Sequence, residues 1–394
     1  MSRPVHVTGV GMVPFSKPGA SEPYPQLGAQ AAKAALSDAR VEYHLIEQVY
    51  AGYVFGDSCS GQAAAYHVGL SGVPVINVNN NCATGSTALF LARQAVASGA
   101  AECVLALGFE QMERGAIGTY FQDRPNPSQR LLDTMDAIQG TAPNAPIAAQ
   151  LFGGAGRIHM QLYGTRADTF AQIAVKARRH AGNNPNAIFR TPLTLDEVLA
   201  SPAVFDPLTR LQCCPPTCGG AAAVLCSSEF ARRHGLDTSV VIAAQAMTTD
   251  GNSSFDERDM RKLVGYDMAR RAAQQVYEQA GVDPMDIPVV ELHDCFTTNE
   301  LITYEALGFA PEGGAEKFIA DGDNTYGGQV VTNPSGGLLS KGHPLGATGL
   351  AQCAELVWQL RGQAGARQVA GAKLALQHNL GLGGACVVTL YAHT

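Results

Sequence analysis

Short apolar runs alternate with longer helical segments through the first third of the chain. Val5-His6-Val7-Thr8-Gly9-Val10 is a β-branched run broken by glycine, and Gln48 to Tyr53 and Val75 to Val78 read as further strands. Residues 26–38 lie between the first two and are Ala-rich with helical spacing. After Val78 a polar run, Asn79-Asn80-Asn81-Cys82, leads into Ala83 to Ser98. The apolar residues of that segment, among them Ala88, Leu89, Phe90, Leu91, Ala95 and Val96, go most of the way round a helix. A helix apolar on all sides is buried in a protein interior. Cys103 to Leu107 is the next strand, and the alternation predicts α/β layering.

Residues 116–207 break this rhythm. Thr165-x-x-Asp168 and Thr194-x-x-Glu197 have the form of capping boxes, and Asn183-Asn184-Pro185-Asn186 is a turn. An inserted region of helices and loops is expected there. Strands resume at Gly219 to Leu225 and Val240 to Ala244. The second half then repeats the plan: helix from Met268 to Ala280, strand from Pro288 to Leu292, helix from about Thr298 to Leu307, helix from about Thr348 to Leu360, and strands at Lys373 to Gln377 and Ala385 to Tyr391. Cys82-Ala83-Thr84-Gly85 and Gly346-Ala347-Thr348-Gly349 each precede a long helix, a glycine and a strand. This predicts duplicated halves: 1–115 with 208–250, then 251–394, around an inserted 116–207.

Composition narrows the class. Of 394 residues, 15% are charged and 43 are glycine, against averages of about 25% and about 7%. Such a chain packs backbone closely and excludes disorder, coiled coil and collagen. A net charge of −7 argues against a nucleic-acid partner. Ten scattered cysteines are too few for a disulfide scaffold of this size. The first residues lack the apolar core of a secretory signal, no apolar run reaches membrane-spanning length, and Tyr391-Ala392-His393-Thr394 is not a peroxisomal address. The expectation is a cytoplasmic protein with reduced thiols.

Cys82 is the first candidate for chemistry. It sits at a strand-to-helix turn, where free N–H groups and the helix dipole are expected to lower a thiol pKa. His293 ends a strand, His343 lies between Gly342 and Pro344 at a helix start, and Cys295 follows His293 by two residues. Gly381 to Gly384 form a loop able to bring backbone N–H groups to a ligand. Cys213-Cys214-Pro215-Pro216-Thr217-Cys218 lacks the paired spacing of a zinc site and reads as a structural loop, so no metal is expected. Arg157, Lys176, Arg178 and Arg179 are candidate contacts for the phosphates of an anionic carrier, beside the plainer reading of a solvated face.

These motifs resemble the thiolase superfamily, in its sterol carrier protein X branch, over essentially the whole chain. Asn79 to Ser86 resembles the nucleophile segment, His293-Asp294-Cys295-Phe296 the motif that replaces Asn-Glu-Ala-Phe in that branch, Gly342-His343-Pro344 the Gly-His-Pro motif, and Gln377 to Gly384 the C-terminal loop. The resemblance implies the thiolase fold, two βαβαβαββ halves in five layers, α-β-α-β-α, with an inserted loop domain. It implies CoA-dependent cleavage of 3-oxoacyl-CoA through acyl-Cys82, in lipid or sterol side-chain degradation. His343 would activate Cys82, His293 would assist at the enolate oxygen, and the N–H groups of Cys82 and Gly381 would form an oxyanion hole. Coenzyme A is then a co-substrate, with no tightly bound cofactor, and a homodimer or homotetramer is expected. Asn379 stands where common thiolases carry the acid/base cysteine, so that role would pass to Cys295. The chain ends just past the last thiolase strand, so a stand-alone form without the sterol-carrier domain is expected. Two rivals share the fold: a retro-aldolase acting on a hydroxyacyl-CoA steroid side chain, with a small partner protein, and an inactive lipid-carrier-like protein. A decarboxylating ketosynthase is disfavoured by His-Asp-Cys-Phe.

Overall fold

The computed structural model describes residues 3–115, 118 and 121–394. Its strands are β1 (Val5–Met12), β2 (Gln48–Gly52), β3 (Val75–Val78), β4 (Cys103–Glu110), β5 (Ala203–Phe205), β6 (Leu208–Thr209), β7 (Gly219–Ser227), β8 (Val240–Thr248), β9 (Val289–Glu291), β10 (Val331–Thr332), β11 (Leu374–Gly381) and β12 (Ala385–His393). Apart from the small β5–β6 pair they form a mixed sheet in the order β10-β9-β11-β12-β8-β1-β7-β4-β2-β3.

That order divides into two sets with one topology. In the first, β1 and β4 run antiparallel to β7, and β2 runs parallel to β4 and β3. In the second, β8 and β11 run antiparallel to β12, and β9 runs parallel to β11 and β10. The sets meet where His6 pairs with Val241. β8 pairs along its length with β12 and so opens the second set, although the sequence reading placed residues 208–250 in the first half. The physical reason is register: eight of its residues face β12.

The helices that position the site are α1 (Tyr24–Ala39), α2 (Thr84–Ser98), α3 (Ile147–Tyr163), α4 (Ala167–Ala181), α5 (Tyr266–Ala280), α6 (Thr297–Ala306) and α7 (Leu345–Leu360). Helix α1 packs Ala31, Ala35 and Leu36 on the outer face of the first set, against Leu105 and Val224. On the second set, α5 packs Met268, Ala272 and Val276 in one cluster with Ala244, Val388 and Leu390. Helices α2 and α7 lie between the two, Leu89 and Val96 sharing a core with Leu350, Ala354, Val7 and Tyr391. Five α-β-α-β-α layers result.

The middle layer explains part of the glycine excess. A Cβ on Gly85 would lie 2.7 Å from the Gly346 carbonyl oxygen, and one on Gly349 would lie 2.3 Å from the Ser86 nitrogen. The two Ala-Thr-Gly helices therefore touch backbone to backbone, as only glycine permits.

The inserted region supplies α3 and α4. Phe152 of α3 stacks on Phe296 with ring centroids 5.1 Å apart, and a Cβ on Gly156 would meet Thr298 of α6 at 2.4 Å. Thr194 forms the expected capping box with Glu197. Thr165 does not cap α4: its hydroxyl lies 2.7 Å from His159 Nδ1, and that buried pairing wins over the cap. All ten cysteines are free thiols. Among the described residues no helix is long and apolar enough to cross a membrane.

Candidate active site

Segments that follow β3, β9 and β10 converge beside the carboxyl end of β11, where α/β sheets present functional groups. The first is the turn after β3. Asn80 N–H donates to Thr84 Oγ1 at 2.8 Å, and Ala83 and Thr84 N–H groups donate to the carbonyls of Asn80 and Asn81, both at 3.1 Å. Asn81 takes φ = 50°, a left-handed conformation that asparagine tolerates. Its Nδ2 donates to the Leu382 carbonyl at 3.1 Å and ties the turn to the C-terminal glycine loop. A Cβ on Gly381 would lie 2.3 Å from Asn80 O, so that loop lies directly on the nucleophile turn. Cys82 emerges two residues before α2.

His343 is held from three sides. Gly342 before it has φ = 119°, open to glycine alone at little cost. Its own N–H donates to Thr217 Oγ1 at 3.0 Å. Its Nδ1 lies 2.7 Å from Thr348 Oγ1, which donates its one proton to the Pro344 carbonyl at 3.0 Å. Thr348 must then accept from His343, so Nδ1 carries the proton and Nε2 keeps a lone pair. That Nε2 is buried and has no hydrogen-bond partner among the described residues.

His293 follows β9. Its Nδ1 lies 3.0 Å from Asn379 Nδ2, and its ring stands edge-on to His343, with centroids 5.1 Å apart at 83°. The Cys82 Sγ and one ring nitrogen each of His293 and His343 lie within 4.8 Å of one another. Asp294 braces the neighbouring segment: its carboxyl oxygens accept from Leu338 N at 2.7 Å and Leu339 N at 3.4 Å, in the short helix before His343. The His-Asp-Cys-Phe and Gly-His-Pro motifs are thus joined.

Burial governs the electrostatics. It pushes the Cys82 thiol up to about 12, aided by the nearby Glu110 carboxylate. The expected lowering by the helix N-terminus is overturned, because Cys82 stands outside α2 and in a dense shell, although the residue keeps partial access to solvent. Burial, then Lys341, pulls His343 down to about 3, and burial with His343 and His378 holds His293 well below the usual range. The resting site is a neutral thiol beside two neutral imidazoles.

Cys295 is buried at the same locus, its thiol raised by burial and then by Cys214 and Cys82. Cys214 was not foreseen. The Cys213–Cys218 loop is structural in that it braces both motifs: Cys214 N–H donates to the Cys295 carbonyl at 2.9 Å, and Pro216 pairs with His343. It also brings a third thiol to the site: Cys82 helps to raise the Cys214 thiol, and Cys214 that of Cys295. No local pattern signals this, because 132 residues separate the two, counting from 82 to 214.

Two of the four basic candidates are drawn inward. Lys176 is 5% exposed, ion-paired to Glu300, and within 3.1 Å of the Tyr304 hydroxyl. Arg178 donates to Ser340 Oγ at 3.3 Å and covers the Phe189 ring. Both are withdrawn from solvent-facing phosphate contacts, because a buried cation with a partner cannot also reach outward. Arg157 bonds Gln139 at 2.8 Å, and Arg179 lies at the surface beside Thr325 at 2.9 Å.

Comparison with known proteins gives the family and the fold. A family model described as thiolase, N-terminal domain, covers residues 5–229, and one described as thiolase C-terminal domain-like covers 250–391. The chain is 58% identical to sterol carrier protein 2 of Homo sapiens over 393 residues, 99% of this chain and 72% of that protein. Among solved structures it resembles an Ltp2–ChsH2(DUF35) aldolase, with a TM-score of 0.81, 27% identity, and coverage of 99% and 98%. It shares the fold of human mitochondrial 3-ketoacyl-CoA thiolase in complex with CoA, with a TM-score of 0.74, 19% identity, and coverage of 100% and 98%.

Proposed function

The chain belongs to the thiolase family, whose members are acyltransferases acting on CoA thioesters, and on that premise we propose that it cleaves 3-oxoacyl-CoA with CoA through an acyl-cysteine. The observation that carries the reading is the convergence of Cys82 Sγ with a nitrogen of His293 and of His343 within 4.8 Å.

His343 Nε2 takes the Cys82 proton as Sγ adds to the 3-keto carbon. The tetrahedral oxyanion is held by the N–H groups of Cys82 and Gly381; one such donor is worth about 10²–10³ in rate. The bond between C2 and C3 breaks, its electron pair forming the enolate of the departing acyl-CoA. The enolate oxygen is held by the two histidines, and the Cys295 thiol protonates C2. The acyl group stays on Cys82. The Cys295 thiolate then deprotonates an incoming CoA thiol, which takes the acyl group, and the departing Cys82 thiolate recovers its proton from His343. Two half-reactions through one covalent thioester give ping-pong kinetics.

Acyl-chain length and branching fall to the inserted region, where Phe152 stacks on Phe296 next to Cys295. A role in lipid or sterol side-chain degradation is consistent with the sterol carrier protein 2 likeness. Incubation with acetoacetyl-CoA followed by mass spectrometry is expected to place an acetyl group on Cys82. Cys295→Ala should still acylate from a preformed acyl-CoA but cleave the carbon–carbon bond slowly. Unimpaired turnover by Cys82→Ala would replace this reading with retro-aldol cleavage, and near-parent thiolysis by Cys295→Ala would remove Cys295 from the proton transfer.

A further inference from the structure

Behind the reacting groups runs a line of four buried polar side chains whose proton directions are fixed at its far end. The Gly349 carbonyl can only accept, so the group of Gln377 that faces it at 2.7 Å is Nε2. That nitrogen donates its second proton to Ser86 Oγ at 2.7 Å, while Gln377 Oε1 accepts from the Tyr391 hydroxyl at 2.5 Å. Ser86, already accepting, sends its own proton to Asn379 Oδ1 at 2.8 Å. Asn379 must therefore present its amide N–H to His293 Nδ1, 3.0 Å away. An N–H needs a lone pair opposite it. Ser86, Gln377, Asn379 and Tyr391 are all fully buried, so water cannot rescue a reversed amide, which would leave donor facing donor.

We propose that Tyr391, Gln377 and Ser86, acting through Asn379, are positioning residues that lock His293 in the tautomer with its proton on Nε2. The two histidines of the site then carry opposite instructions. His343, bonded through Nδ1–H to Thr348, offers Nε2 as a lone pair and serves as base to Cys82. His293 offers Nε2 as a donor and serves as a hydrogen bond to an oxygen bearing negative charge. Asn379 thus has a task of its own at the position where a cysteine would otherwise stand.

The lock has a second consequence. Cys82, His293 and His343 place three soft donor atoms within 4.8 Å of one another, a set fitted to zinc. Zinc needs a lone pair on each ligand. With Nε2 of His293 protonated and Asn379 unable to turn, the third ligand is denied, and the nucleophile stays free of the metal. Asn379→Asp reverses this, since a carboxylate accepts from both Ser86 and His293 Nδ1–H and supports metal binding at Nε2, as carboxylates behind zinc-ligating histidines do.

The lock is read directly by ¹⁵N spectroscopy of histidine-labelled protein, with His293→Gln identifying the signal. The expected result is a proton on Nε2 in the parent and on Nδ1 in Asn379→Asp. Calorimetric zinc titration of the same proteins should show Asn379→Asp binding the metal at least about tenfold more tightly than the parent. Ser86→Ala, which frees the amide to turn, should lower kcat about tenfold with KM within about twofold, the worth of one buried hydrogen bond. A parent His293 with its proton on Nδ1, or equal zinc affinity in parent and Asn379→Asp, overturns the proposal. The kcat effect rests on the proposed thiolysis, whereas the tautomer and zinc readouts do not, so failure of one is distinguishable from failure of the other.

Discussion

Gly349→Ala tests the packing that brings the two halves of the site together. The added Cβ would lie 2.2 Å from Ser86 Oγ, 2.3 Å from Ser86 N and 2.7 Å from Asn379 Oδ1. Ordinary contact begins at about 3.4 Å, so α2 and α7 must separate by roughly 1 Å, and neither can yield by turning a side chain because one obstacle is backbone. Overpacking of this kind costs about 1–3 kcal/mol or somewhat more. Alanine returns about 0.5–1 kcal/mol of helix propensity. A net loss of about 2 kcal/mol is expected, with a larger relative loss of kcat, because Ser86 and Asn379 are displaced with the helix. The assay is the urea midpoint followed by circular dichroism, with the m-value checked for constancy. Gly182→Ala is the control, its nearest atom being a carbonyl oxygen at 3.2 Å, and should change stability by less than about 0.5 kcal/mol. A Gly349→Ala protein as stable as the parent and fully active would refute the close-packed reading of the central helices.

Because the Cys82 thiol is raised to about 12 and His343 lowered to about 3, no thiolate–imidazolium pair exists at rest. Inactivation by iodoacetamide should therefore keep rising with pH through 9; a plateau from pH 5 upward would contradict the neutral pair. Lys176→Ala strands Glu300 in the interior and should cost about 3–5 kcal/mol, with Lys176→Met/Glu300→Gln recovering part of it; a selective rise in KM for CoA at unchanged stability would instead restore Lys176 as a phosphate contact. Burial, then Glu300, raises Asp294 to about 8, above its unfolded range near 4. The folded state then holds a proton that the unfolded chain loses first, so this group's contribution to stability is complete below pH 4 and is lost as pH rises toward 8. Asp294→Asn should flatten the change in urea midpoint between pH 5 and 8, and an unchanged slope would exclude Asp294 as its source.

The strand and helix rhythm, the repeated Ala-Thr-Gly segments and the identities of Cys82, His293, Cys295 and His343 were legible in the linear chain, because periodicity and turn chemistry are local. The assignment of β8 was not, since which neighbour a strand pairs with depends on register across the sheet. Thr165 had the spacing of a cap, but the spacing could not reveal that His159 would claim its hydroxyl. Lys176 and Arg178 had the charge of phosphate contacts, but only packing shows that they turn inward.

The sequence by itself determined which groups could react, because reactivity begins with side-chain type and with the turn that displays it. Tertiary structure decided the state in which they wait. The raised thiol of Cys82 follows from burial and from Glu110, 28 residues away, counting from 82 to 110. Cys214 reaches the site from a loop whose spacing gave no hint of it. The direction of each proton on His293 and His343 is set by Asn379 and Thr348, and behind Asn379 by Ser86 and Gln377. Protonation and tautomer depend on what surrounds a group in space, and a linear order of residues carries no such distances.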